Sequence, residues 1–369
     1  MSLGALAGLL SNRLDPEAGR HRLLAGIIGD APSQYAKSPS IWKPTFAALE
    51  IDATYLPFDV PADHLEKVVS ALRALPALAG FNVTVPYKIR ILPFLDEIDP
   101  RARRINAVNT VVRRPDGTLV GYNTDGEGFV DSISRMPALD GQPLVSGLRG
   151  RAVLLLGAGG AARAIAHTLV DELGEGTVVI ANRSADTARA LAAELNRVRA
   201  GAAAGIDESE VDAAARRADL VVNATVKGQA GIRKLAGGRA TCLEPYSSLA
   251  PAAPAEVPEA MAANPRRFYR AWFTASAADI EANHRRSMAV VREAPAEAAF
   301  CDIVYAPLES AFLRQGRLSG RRILNGKGMN VAQAASGFFH RVMQPYLKDR
   351  GLDIPETHRR IVAAMERAW

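Results

Sequence analysis

The stretch that most constrains this chain is Arg151-Ala-Val-Leu-Leu-Leu-Gly157-Ala158-Gly159-Gly160-Ala161-Ala162-Arg163-Ala164-Ile165. Residues 152–156 form a short apolar run bounded by glycine, as a buried parallel strand requires. Gly157 permits a tight turn, and Gly159 lets the backbone approach a pyrophosphate. Gly160 and Ala161 then open a helix whose free N–H groups and dipole favour an anion. Strand, glycine turn and helix in this order predict nucleotide binding. The plainer reading is a close-packed strand–helix crossover without a ligand.

A chain of 369 residues is too long for one ordinary core, so two domains are expected. Hydrophobic residues at 48% and charged residues at 23% describe an ordinary globular protein. The net charge of +6 is spread along the chain, and basic pieces such as 101–104 carry no interleaved aromatic residues. An anionic small substrate or cofactor is a simpler use of that charge than nucleic acid. Cys242 and Cys301 lie in no metal-ligand spacing, so neither a disulfide framework nor a metal site is expected, in keeping with a cytoplasmic protein. Residues 1–10 lack a basic leader region and read as a short surface helix, and no segment reaches the length of a membrane span.

Alternating apolar and amphipathic runs lay out an α/β chain. Strands are expected over 23–28, 53–58 and 78–83, with helices over 42–49 and from 61 or 63 to 75. A hairpin of 107–113 and 119–122 turns at Pro115-Asp116-Gly117. Beyond the glycine turn, strands are expected over 177–181, 220–222 and 301–305, with a helix over 185–197. Residues 227–300 form a long insertion, Ala- and Pro-rich over 249–258 and helical over 277–292. Helices over 308–314, 329–344 and 355–367 close the chain. The predicted fold is an α/β substrate domain (1–135), a doubly wound Rossmann-like dinucleotide domain (136–307), and C-terminal helices (308–369) that pack back on the first domain.

Polar residues cluster where strands end, which is where open parallel sheets place ligands. Lys88 follows a strand beside Pro86, and a lysine in a closed cleft can protonate a developing alkoxide, with Asp125 holding and tuning it. Taken singly, either residue reads as a solvated loop residue. The strand over 177–181 ends in Asn182-Arg183-Ser184 rather than in the acidic residue expected for an NAD ribose. Arg183 can pair with a 2′-phosphate, so NADP is favoured, with NAD as the alternative. No Gly-x-Ser-x-Gly, His-Glu-x-x-His or Gly-x-x-x-x-Gly-Lys motif is present, and the six histidines do not cluster in sequence.

These residues resemble the shikimate/quinate dehydrogenases. The likeness is carried by Asn82-Val-Thr-Val-Pro-Tyr-Lys88, Ala107-Val-Asn-Thr110, Asn123-Thr-Asp-Gly126 and Gly157-Ala-Gly-Gly-Ala-Ala162. Further carriers are Asn182-Arg-Ser184, Asn223-Ala-Thr225, Asp302-Ile-Val-Tyr305 and Gly328-Met329 leading to Gln333. The resemblance implies reduction of the ketone of 3-dehydroshikimate with NADPH, or the reverse oxidation. It makes Lys88 and Asp125 the catalytic pair. It assigns Thr84, Asn109 and Gln333 to ring hydroxyls, and Ser38 and Tyr305 to the carboxylate. Gly328 and Met329 would lie near the nicotinamide, with Asn223, Ala224 and Thr225 along the cofactor. A monomer or a homodimer is expected.

Departures from the pattern gather at one end of the substrate. The family's His-Ser-x-Ser-Pro is here Tyr35-Ala36-Lys37-Ser38-Pro39, so one of two carboxylate-holding serines is Ala36. Trp42-Lys43 replaces a His-Asn pair, and Asn106 stands where glycine is usual. Losing one hydroxyl bond to a carboxylate costs about 1.5–3 kcal/mol unless Ser33, Tyr35 or Lys37 substitutes. Two classes of function therefore remain open. One is an NADP-dependent dehydrogenase of a cyclic polyhydroxy carboxylate, with quinate and aminoshikimate-type substrates as variants. The other is a non-catalytic NADP(H) or metabolite sensor on the same fold.

Overall fold

The computed structural model describes residues 3–138 and 141–369; the first two residues of the expected N-terminal helix lie outside them. Two compact units divide the chain, one of Met1–Gly128 with Asn330–Trp369, the other of Phe129–Met329.

The first unit is built on strands β1 (Leu23–Gly29), β2 (Ala53–Asp59), β3 (Leu78–Val83), β4 (Glu97–Ile98), β5 (Thr110–Arg113) and β6 (Leu119–Tyr122). Their order in the sheet is β2-β1-β3-β5-β6-β4, with β1 parallel to both neighbours and β5 antiparallel to β3 and β6. Leu24, Ala25, Ile27 and Ile28 of β1 are all buried, the continuous burial of a strand covered on both faces. Trp42 is fully buried on the helix Ser38–Ala48. Its ring lies 4.9 Å from that of Tyr55 and 5.0 Å from that of Phe338, so the C-terminal segment is part of this unit's core. Trp42 is thus a packing residue. Asn106 sits at φ 58°, a left-handed conformation at the end of the helix Pro100–Ile105. Glycine adopts it freely and asparagine tolerates it.

The second unit opens with β7 (Ala152–Leu156), β8 (Thr177–Asn182), β9 (Ala203–Asp207) and β10 (Leu220–Asn223). The insertion then supplies a small antiparallel sheet of β11 (Ile232–Leu235), β12 (Arg239–Cys242) and β13 (Val257–Pro258). Strands β14 (Ala299–Asp302) and β15 (Ile323–Leu324) complete a parallel sheet of order β15-β14-β10-β7-β8-β9. Its centre, β10-β7-β8, has the reversal of strand order at which doubly wound sheets bind ligands.

Two expectations need correction. The helix expected over 308–314 runs from Ala311 to Leu318 and belongs to the second unit, not to helices returning to the first. Phe312 stacks on Phe300 of β14 at 5.0 Å, which anchors it there. The helix expected over 329–344 is Lys327–Gly337, followed by a wider π turn at Phe338–Val342 and a new helix from Gln344.

The insertion is ordered by one long helix, Pro265–Glu293, which starts at Asn264 and not near 277. Asn264 caps it by accepting the Arg267 N–H at 3.2 Å, and Pro265 occupies the first turn, where its missing N–H costs nothing. The Ala- and Pro-rich stretch has few polar side chains to satisfy its own backbone. The helix meets that need. Asn283 accepts the Ser247 N–H at 2.9 Å and donates to Pro251 O at 3.0 Å, Asp279 accepts the Ala253 N–H at 2.8 Å, and Ser276 accepts the Ala255 N–H at 3.0 Å. Positions 276, 279 and 283 lie on one helix face, so a single stripe of short polar residues fixes the coil.

Candidate functional site

In the first unit, Lys88 lies on the short helix Tyr87–Arg90 and not in a loop. Its carbonyl accepts the Val108 N–H at 2.8 Å, tying that helix to the segment leading into β5. Asp125 is the first residue of the helix Asp125–Ser134, where a carboxylate suits the helix dipole. Its N–H donates to Asn123 Oδ1 at 3.1 Å. Lys88 Nζ donates to Asp125 Oδ2 at 2.6 Å; the side chains are 27% and 8% exposed, so the lysine reaches solvent while the carboxylate does not.

Asn109 Nδ2 donates to the other carboxylate oxygen, Asp125 Oδ1, at 2.8 Å. Gln333 joins the group: its Oε1 is 3.4 Å from Asn109 Nδ2 and its carbonyl accepts from Thr124 Oγ1 at 3.1 Å. Gly128 makes this approach possible, because a Cβ there would lie 2.5 Å from the Gln333 backbone. The structure thus brings Lys88, Asp125, Asn109 and Gln333 together.

A longer path of hydrogen bonds leads away from Asp125. Thr110 Oγ1 donates to Asn109 Oδ1 at 3.0 Å, Asn82 Nδ2 donates to Thr110 Oγ1 at 3.0 Å, and Tyr55 OH donates to Asn82 Oδ1 at 2.7 Å. Every bond from Tyr55 to Asp125 points the same way, toward the carboxylate, and such chains polarise cooperatively. Tyr55 and Thr110 are fully buried, and Asn82 and Asn109 nearly so. Asn82 and Thr110 stand in the sequence motifs, but Tyr55, within a strand, carries no local sign of this role.

The loop before Ser38 is wired to the protein itself. Ser33 Oγ donates to Asp59 Oδ2 at 2.5 Å. Tyr35 OH donates to Asp30 Oδ1 at 2.7 Å, and burial together with that carboxylate pushes the phenol up in pKa. Lys37 Nζ lies over the Trp369 ring at 5.9 Å.

In the second unit a cavity of about 910 Å³ opens at the end of the parallel sheet. Gly157, Ala158 and Gly159 line it, as do Asn182, Arg183 and Ser184 after β8, and Ala224 and Thr225 after β10. Gly157 holds φ 108°, and a Cβ there would meet Ala224 O at 2.9 Å, whereas a Cβ at Gly159 or Gly160 meets nothing within 4 Å. Only glycine fits the turn, and open space lies before the helix Gly160–Glu172, whose first residues are Gly160 and Ala161. That is the cradle a pyrophosphate needs. Arg183 is exposed and makes no ion pair among the described residues. Ser184 instead caps the helix Ala185–Val198, accepting from Thr187.

Asn223 is buried below the cavity. It donates to Asp302 Oδ1 at 2.9 Å and accepts from Thr225 Oγ1 at 2.7 Å, which fixes the loop after β10. Burial pushes the Asp302 carboxyl up to about 7. Tyr305 is partly buried in this unit, and burial raises its phenol. Met329 packs in the apolar core with Phe129 and Ile133, and a Cβ on Gly328 would meet Ser132 at 3.4 Å. Asn223, Gly328 and Met329 do not line the cavity. No helix among the described residues is long and apolar enough to cross a membrane.

Comparison with known proteins follows the same division. Residues 27–111 match the shikimate dehydrogenase substrate binding domain, and residues 141–240 match shikimate / quinate 5-dehydrogenase. The chain is 34% identical over 331 residues to shikimate dehydrogenase (NADP(+)) of Symbiobacterium thermophilum, covering 88% of this chain and 90% of that one. It is 35% identical over 322 residues to the enzyme of the same name from Geobacter metallireducens, covering 85% and 89%. Among solved structures, shikimate 5-dehydrogenase from Thermus thermophilus, in complex with NADP(H) and shikimate, aligns with TM-score 0.63 at 27% identity over 94% of this chain and 100% of that one. A quinate dehydrogenase from Corynebacterium glutamicum shares the fold at TM-score 0.66 and 23% identity. With these relatives and this geometry, the chain belongs to the shikimate dehydrogenase family of oxidoreductases.

Proposed function

We propose that this protein interconverts shikimate and 3-dehydroshikimate, or a close cyclic analogue, using NADP(H). The observation that carries the reading is the Lys88–Asp125 pair, held from both sides by Asn109 and the helix start. The cradle at Gly157–Gly160 fits a dinucleotide, with Gly159 and Gly160 against the pyrophosphate and Arg183 toward a 2′-phosphate. The bound cofactor supplies or accepts the hydride at its nicotinamide C4. The chain supplies everything else.

Lys88 donates one of its three N–H groups to Asp125, which leaves two for a substrate oxygen. In the reducing direction Lys88 stabilises and protonates the oxygen that becomes a hydroxyl; in the oxidising direction it takes that proton back. Asp125, with little solvent access, keeps the ammonium in place and offsets its charge. Asn109, Thr84 and Gln333 present donors and acceptors to the ring hydroxyls, and Ser38 serves the carboxylate. Leaving such buried groups unpaired is what rejects a wrong ring.

A second reading is a quinate or aminoshikimate-type substrate; Ala36 without a hydroxyl, and Ser33 and Tyr35 bonded to Asp59 and Asp30, alter the carboxylate end for all these acids alike. Initial rates with NADP against shikimate and quinate test both. Turnover with shikimate is expected. Turnover with quinate alone would transfer the assignment to the second reading, and no turnover with either, alongside intact NADPH binding, would favour the sensor.

A further inference from the structure

Part of the 227–300 segment lines the cavity of the second unit. We propose that it forms the outer wall of the adenosine side of the dinucleotide site, and that Arg233 is a second guanidinium for the cofactor's 2′-phosphate, opposite Arg183. This rests on the NADP reading above. The cavity that begins at the glycine turn and passes Arg183 continues along the insertion. β11, β12 and the Ala- and Pro-rich coil line it there, through Arg233, Leu235, Thr241 and Ala253.

The pleat of β11 decides which residues face the cavity. Arg233 and Leu235, two apart, line it, while Ile232 packs on the insertion's own core and Lys234 pairs with Glu259 elsewhere. Arg233 stands directly opposite Thr241 in the β11–β12 register, so the two share that face. Thr241 is in turn held by the buried Trp272, whose Nε1 donates to its hydroxyl at 3.1 Å. The wall is a braced sheet, with Arg233 at a fixed position on it.

Charge identifies the ligand. Lys227 also lines the cavity, but Glu208 at 2.6 Å and the Ala250 carbonyl at 2.7 Å hold its ammonium, and burial lowers its pKa. Glu256 is offset by Arg239 at 3.9 Å. Arg233 bonds only the neutral Gln229 side chain, at 3.0 Å, among the described residues, and Arg183 has no carboxylate partner. Two uncompensated guanidiniums thus face one cavity. A phosphate monoester, carrying about −1.5 to −2 charge with three acceptor oxygens, is the group that matches them.

The test compares adenosine 2′,5′-bisphosphate with adenosine 5′-monophosphate by calorimetry on the full chain. Arg233→Gln should weaken the bisphosphate about tenfold or more, as Arg183→Gln should, and leave the monophosphate within about twofold. Arg233→Lys should recover part of the loss. Because the Arg233 side chain bonds only Gln229, the thermal midpoint should not move. Unchanged bisphosphate binding in Arg233→Gln, with loss in Arg183→Gln, would overturn this inference and leave the NADP reading standing. Equal weakening of both probes would also overturn it, since the wall would then act without reading the phosphate. A wild-type chain that binds neither the bisphosphate nor NADPH would remove both.

Discussion

The two ends of the first unit's polar network treat hydrogen bonds in opposite ways. At the Lys88 end, protein contacts leave capacity over: two ammonium N–H groups and one Gln333 amide N–H remain beside a fixed carboxylate. At the 30–38 loop the capacity is spent on the chain itself. Ser33 is bound to Asp59 and Tyr35 to Asp30. The first arrangement is built to meet a changing oxygen. The second is built to hold a loop, and it greets a carboxylate with few free donors and with Asp30 nearby. On the proposed reading, the proton-transfer end keeps the family's residues and the carboxylate end departs from them.

Substitutions can break or sharpen that contrast. The largest effect belongs to Lys88→Ala, expected to lower kcat by about 10²–10⁴-fold while NADPH binding by fluorescence is unchanged. A variant retaining most of its turnover would place the proton transfer elsewhere. Ala36→Ser should act at the other end only, raising kcat/KM for shikimate by about ten- to a hundredfold with kcat little altered. No gain would mean that the pocket has been reshaped beyond one hydroxyl.

Tyr55→Phe tests whether the two ends communicate. It leaves the buried Asn82 Oδ1 without its donor, at a stability cost of about 1–3 kcal/mol in denaturant unfolding. KM should rise more than kcat falls if the path from Tyr55 positions substrate. Equal loss in both would assign the path to the catalytic pair instead.

Asp302→Asn, in the second unit, should affect turnover least and is read in stability. Its folded pKa is raised by burial to about 7, so its stabilising contribution is full below about 4 and is lost as pH rises through about 7. The wild type should lose stability across that window with a slope of at most about 1.4 kcal/mol per pH unit from this group, and the asparagine variant should be flatter. Identical pH profiles would show that Asp302 stays ionised throughout.

Much of this was legible in the residues, for identifiable reasons. Gly157, Gly159 and the apolar 152–156 run define a strand–turn–helix because only glycine permits that backbone, and the cavity lies there. Lys88 and Asp125 could be paired because the motifs that contain them occur in order, although their distance could not be read. The loop wiring was hidden: Asp59 lies 26 residues beyond Ser33, and nothing local announces that they bond. The long helix was half hidden, since Ser276, Asn283 and Ser287 are buried where an apolar stripe would be sought. Asn264-Pro265 was its visible start signal. Arg233 could not be singled out before the register of β11 was known.

The most direct measurement compares wild-type kcat/KM for shikimate and for its neutral methyl ester, with NADP as oxidant. If the Lys88 end is intact and the carboxylate end has lost its grip, both should be oxidised with similar kcat, and shikimate should be preferred by no more than about tenfold. A preference above about a hundredfold would contradict the account, because it would require a carboxylate site as strong as one with both serines. Absence of turnover with either would contradict it at the Lys88 end.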